Sequence, residues 1–78
     1  MGNNLQVVVL VAVTYHNIAV QQIILGHIGD ACISSQNARR LARNCLSLSN
    51  RYVVSFEDTH MKALGELSSI LKNKYDDD

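Results

Sequence analysis
Small and apolar residues recur through the middle of this chain at helical spacing. Ile24, Ile28, Ala31, Ser35, Ala38, Ala42 and Cys45 follow one another at intervals of 4, 3, 4, 3, 4 and 3. This is a heptad seam, and the small side chains of its later half let a second helix come close. Leu41 and Leu48 widen it. The seam serves either a core within one chain or a contact between subunits. The pattern predicts a helix over residues 30–50, with Asp30, Ser34 and Ser35 as start signals. Just before it, the segment GHIG at residues 26–29 sets two glycines three apart. Each costs about 1 kcal/mol relative to alanine inside a helix, so a kink or break is expected there.

After Cys45 the seam is lost. Ser47, Ser49 and Asn50 supply stop chemistry, and Ser55 with Asp58 three residues on forms a capping-box pattern. A third helix is therefore predicted within residues 55–74, from about Phe56 to Asn73. Phe56, Met61, Ala63, Leu64, Leu67, Ile70 and Leu71 recur there at helical spacing, while Glu57, Lys62, Glu66 and Lys72 fall elsewhere. Residues 75–78, YDDD, read as a frayed acidic end. The apolar N-terminal segment, residues 1–29, is ambiguous. Val7 to Val13 are seven consecutive aliphatic residues, most of them β-branched, which suit a buried strand as well as a buried helix. Helix is favoured, because the one strand partner in the sequence is the short RYVVSF and an isolated strand leaves its backbone unpaired. The alternative is an edge strand pairing with its own copy in a dimer.

Length and composition narrow the class. Seventy-eight residues allow one domain, and a chain this short buries only roughly 60% of the surface its unfolded form exposes. Apolar residues make up 47%, with four aromatics, and charged residues only 18%, below the usual fraction of about 25%. Apolar surface should therefore meet another chain. The expected fold is all-α, a helical hairpin plus an N-terminal apolar segment, completed by homo-oligomerisation. Cys32 and Cys45, thirteen apart, would sit roughly 20 Å apart on one helix, too far for a disulfide. Buried reduced thiols in a cytoplasmic protein are expected. No Lys or Arg precedes Val7–Val13 as a signal peptide requires. Thr14, His16, Asn17, Gln21 and Gln22 interrupt the apolar run, so a membrane span is not expected. Gln6 stands where a myristoylation pattern needs Ser or Thr.

Charge adds the one candidate site. The stretch QNARRLARNC, residues 36–45, holds Arg39, Arg40 and Arg43, and with Arg51 it contains four of the seven basic residues of a chain whose net charge is zero. At about 100° per residue these arginines form an arc flanking the seam without interrupting it, Arg51 joining if the helix lasts that far. Guanidinium groups bind phosphate or carboxylate in bidentate fashion, and Gln36, Asn37, Asn44 and Ser47 could add neutral donors. Arg39, Arg40, Arg43, Asn44 and Arg51 are thus the candidate ligand- or partner-binding set. The plainer reading is a solvated face whose arginines pair with Glu57, Asp58 or the terminal aspartates once the chain folds back. Residues 31–56 carry +4, and residues 57–78 carry −3 from three Lys against six acids.

Metal and catalytic chemistry find little support. His16 and His27 lie eleven apart, about 16 Å of helix rise and too far for one ion. His60 stands alone beside Glu57, and each histidine reads as surface or partly buried. No glycine-rich phosphate loop, paired carboxylates or Cys–His spacing can be read. No metal, cofactor or enzymatic activity is expected. The leading expectation is a small helical interaction or regulatory protein of inhibitor or adaptor type, acting as a homo-oligomer. The alternatives are an oligomeric binder of a small phosphate-containing ligand such as a nucleotide, an acidic protein partner for the arginine face, or nucleic acid. The last is disfavoured by zero net charge, by the acidic tail and by the lack of aromatics between the arginines.

Overall fold
A computed structural model describes residues 2–76, and within them the chain forms three helices: α1 Gly2–Ile24, α2 Ile28–Cys45 and α3 Arg51–Asp76. The aliphatic run Val7–Val13 lies inside α1. A helix pairs its backbone groups within the segment, which resolves the strand alternative without needing a partner. The GHIG segment does break the chain, and its first glycine makes the break. Gly26 adopts φ +80°, while the Gly26 N–H donates to Ile23 O at 3.0 Å and the His27 N–H donates to Gln22 O at 2.8 Å. This pair of bonds closes α1 as a Schellman motif, whose left-handed position favours glycine.

Both ends of α2 and of α3 differ from the sequence expectation, and Tyr75 and Asp76, expected in a frayed end, continue α3, since nothing after Asn73 breaks a helix. α2 opens at Ile28, two residues before Asp30, and Ser34 and Ser35 lie well inside it. The first bond runs from Ala31 N–H to the His27 carbonyl, with no side-chain cap. It closes at Cys45, where Leu46 turns extended and donates to Ala42 O at 2.9 Å. The capping box at Ser55 and Asp58 is not used, because both residues sit within α3. Asn50 caps that helix instead, its Oδ1 accepting from the Tyr52 N–H at 2.9 Å. As a result Val53, which the Phe56 start left outside, enters the core with Phe56.

α2 is the middle helix and packs against both neighbours, each running antiparallel to it. Ala12 meets Ala38 and Ala42 on one side, with Val53 and Phe56 completing the cluster from α3. The seam is thus a core within the chain over Ile28, Ala31, Ser35, Ala38 and Ala42, all buried. Its two ends are not part of it: Ile24 is 70% exposed and Cys45 is exposed, because each helix ends there. α1 and α3 meet mainly where the ring of His16 stacks on Phe56 at 4.4 Å. α1, with 23 residues, and α3, with 26, both outlast α2, with 18. The molecule is accordingly long, 56 × 22 × 14 Å, with a radius of gyration of 14.1 Å against about 11.5 Å for a compact chain of this length.

The glycines give a paired test. Alanine at Gly26 must take a left-handed backbone, so Gly26→Ala should lower stability by about 1 kcal/mol. Gly29 lies inside α2 with no atom within 4 Å of an added Cβ, so Gly29→Ala should raise stability by about 0.5 to 1 kcal/mol. Urea midpoints of the two variants should move in opposite directions.

Candidate functional site
The arginines are distributed over the two flanks of α2 and the start of α3. Arg39 and Arg43 turn toward α3. Arg39 Nε donates to Glu57 Oε2 and its Nη1 donates to Gln36 Oε1 at 3.0 Å, and Arg43 Nη1 stands 3.7 Å from Glu57 Oε1. Glu57 therefore holds both cations, the folded-back arrangement in which the +4 and −3 blocks meet. With the Arg39 side chain 24% exposed and that of Glu57 37% exposed, solvent screens the pair, which contributes on the order of 1 kcal/mol. Arg51 does not extend the α2 arc, since α2 has ended six residues earlier. It opens α3, with its guanidinium 5.5 Å from the Tyr52 ring centroid. Asp77 and Asp78 lie outside the described residues.

Arg40 faces the other way, toward α1. With Asn37, Leu41, Asn44 and Tyr15 it lines a recess of about 270 Å³. The i, i+3, i+4, i+7 spacing of Asn37, Arg40, Leu41 and Asn44 puts these four on one strip of α2. Arg40 has no carboxylate within salt-bridge distance among the described residues. Of the sequence-derived set, Arg40 and Asn44 share this recess, Arg39 and Arg43 share Glu57, and Arg51 joins neither group.

A second feature escaped the sequence reading. His60 is buried, its Nδ1 2.8 Å from Ser35 Oγ, and Ser35 Oγ is also 3.1 Å from the Cys32 carbonyl. The hydroxyl has one proton, so both contacts are met when His60 Nδ1–H donates to Ser35 and Ser35 donates to Cys32 O. The signal was present: His60 follows Phe56 by four and precedes Ala63 by three, on the apolar arc of α3, whereas Met61 lies off it and is 58% exposed. His60 borders an open groove of about 600 Å³ with Cys32, Gln36, Arg39, Met61 and Leu64. Burial pushes the Cys32 thiol above its ordinary value, which leaves it a poor nucleophile. Cys45 is exposed, contrary to the expectation that both thiols are buried; neither is bonded. Among the described residues no three of His, Cys, Asp and Glu stand together as metal ligands.

On the other side of the core His16 is half-buried against Phe56, and its Nδ1 is buried without a hydrogen-bond partner. α1 itself is long and apolar enough to cross a membrane over Asn4–Ile24, at a mean hydropathy of 1.7, and only 11% of that window is buried. Thr14, His16, Asn17, Gln21 and Gln22 lie on this continuous helix and do not interrupt it. No protein family, curated protein or solved structure matches this chain.

The two histidines give the fold a pH dependence. Burial lowers both pKa values, and for His60 the Arg39 cation lowers it further while Glu57 opposes. The folded chain thus resists protonation that the unfolded chain accepts. The stabilising contribution is complete above the ordinary imidazole value of 6.5 and is lost as pH falls through the depressed folded-state values. Urea midpoints should therefore drop from about pH 7.5 to about pH 5.5. The double variant His16→Phe/His60→Gln should flatten that drop, and an unchanged slope would place the titrating groups elsewhere.

Proposed function
We propose that the chain is a non-enzymatic helical interaction protein that works as a homo-oligomer, in the manner of an inhibitor or adaptor. One observation supports this above the rest: the imbalance between what the fold encloses and what it leaves in water. Phe56, Val53 and Ile28 are the bulkiest members of a core otherwise made of alanines. Among the described residues, sixteen large apolar side chains are exposed, from Leu5, at 47%, to Tyr75, at 69%. Domains hold together by closing such faces against another layer, and exposed apolar surface on this scale marks an interaction site. A cytoplasmic location is part of the same proposal. Light scattering of the 8.6 kDa chain should give a multiple of that mass at micromolar concentration. A stable monomer overturns the oligomeric reading.

The recess around Arg40 favours a second reading, capture of a small phosphate-containing ligand. A guanidinium with no carboxylate within salt-bridge distance among the described residues, two carboxamides and a phenol offer donors to anionic oxygens. Arg39 and Arg43 contribute less to this reading, because both already face the Glu57 carboxylate. Inorganic phosphate or nucleoside monophosphates should raise the melting midpoint of the natural chain and leave that of Arg40→Ala unmoved. Equal shifts in both proteins would remove the recess from consideration.

A further inference from the structure
α1 carries two seams, and the fold uses one. Ala12 and Ala19, seven apart, are buried. About 130° around the helix a second series follows the heptad rhythm of 4, 3, 4, 3 and 4: Val7, Val11, Thr14, Ile18, Gln21 and, just past the helix end, Leu25. All six are exposed, Val7 at 57% and Leu25 at 66%. A shallow apolar recess of about 430 Å³ runs along this series at Leu10, Val11, Thr14, Tyr15 and Ile18. Among the described residues nothing else covers it.

We infer that this second seam is an interface between two copies of the chain, with α1 packing lengthwise on α1 of the partner. The inference rests on the oligomeric reading above and names the surface that carries it. Charge selects the occupant. Symmetric pairing brings a helix face against its own copy, so formal charges beside the seam meet like charges. α1 has no Asp, Glu, Lys or Arg anywhere in Gly2–Ile24, whereas α2 carries three arginines and the exposed apolar strip of α3 at Leu64, Leu71 and Tyr75 is bordered by Lys72.

The polar members of the seam suit the same occupant. Thr14 donates its hydroxyl proton to the Leu10 carbonyl at 2.8 Å, so it enters an apolar contact with its donor satisfied. A glutamine amide both donates and accepts, which lets Gln21 pair with its own counterpart across a two-fold axis. Single polar positions of this kind fix the register of paired helices. A bilayer suits the seam less well. It would have to take Gln6, His16, Asn17, Gln21 and Gln22 into hydrocarbon and draw α1 away from the alanine face of α2.

Sedimentation equilibrium on the full chain tests the interface, with circular dichroism of each variant to establish that the helices are retained. The natural chain should be a dimer. Gln21→Glu, nearly isosteric and on an exposed position, and Ile18→Glu should each weaken dimerisation by about tenfold or more while the helices remain. Leu71→Glu on α3 should leave the dimer unchanged. An oligomer that survives both α1 changes and dissociates with Leu71→Glu overturns the α1 interface and leaves the oligomeric reading standing. A monomeric natural chain overturns both. Flotation with neutral phosphatidylcholine vesicles that Ile18→Glu abolishes would make lipid the occupant and also overturn the inference.

Discussion
Small side chains let helices approach closely but bring little apolar area to the contact, and this trade governs the molecule. Ala31, Ser35, Ala38 and Ala42 give α2 a face on which α1 and α3 both settle. Each alanine methyl withdrawn from water contributes on the order of 1 kcal/mol, where a leucine in its place would bring about two to three times as much. Close packing is thus obtained at the expense of core size. Many of the bulky aliphatic residues are left on the outer faces of α1 and α3, and Ile33 on α2 and Leu48 in the following turn are exposed as well.

Polar contacts supplement this thin core at its edges. On the α3 side, Glu57 holds Arg39 and Arg43, and His60 reaches Ser35. On the α1 side, Ser34 donates to the Gln22 side chain at 2.7 Å. These bonds fix the register of helices whose alanine faces would otherwise slide, since one methyl resembles the next. They also divide the basic residues by role. Two arginines serve the contact between α2 and α3, while Arg40 remains facing a recess of uncommitted donors.

Much of this was legible in the residue pattern. The 4–3 spacing from Ile28 to Ala42 marked the packing face of α2, and the two glycines marked the break before it. What escaped depends on chemistry that periodicity does not weigh. Asn50 and Ser55 are both acceptable caps, and only the gain from burying Val53 as well as Phe56 decides for the earlier one. That earlier start moved Arg51 out of the α2 arc. His60 reads from its polarity as surface or partly buried, but its position places it on the buried arc, where Ser35 supplies the partner that makes burial tolerable. Which arginine faces which neighbour follows from the antiparallel packing of α3, a long-range contact that an isolated helical wheel omits.

The order of the helices along the chain has a kinetic consequence. Every helix packs on its sequence neighbour through a short turn, a topology of local contacts that folds quickly once complete. During synthesis, however, α1 emerges before the helix that shelters its inner face. At ribosomal rates the stretch from Ile24 to Cys45 takes roughly 1 to 4 s to add, far longer than the microsecond or less in which a helix forms. For that interval α1 is an uncharged apolar rod with both of its seams open to chaperones and to other nascent chains.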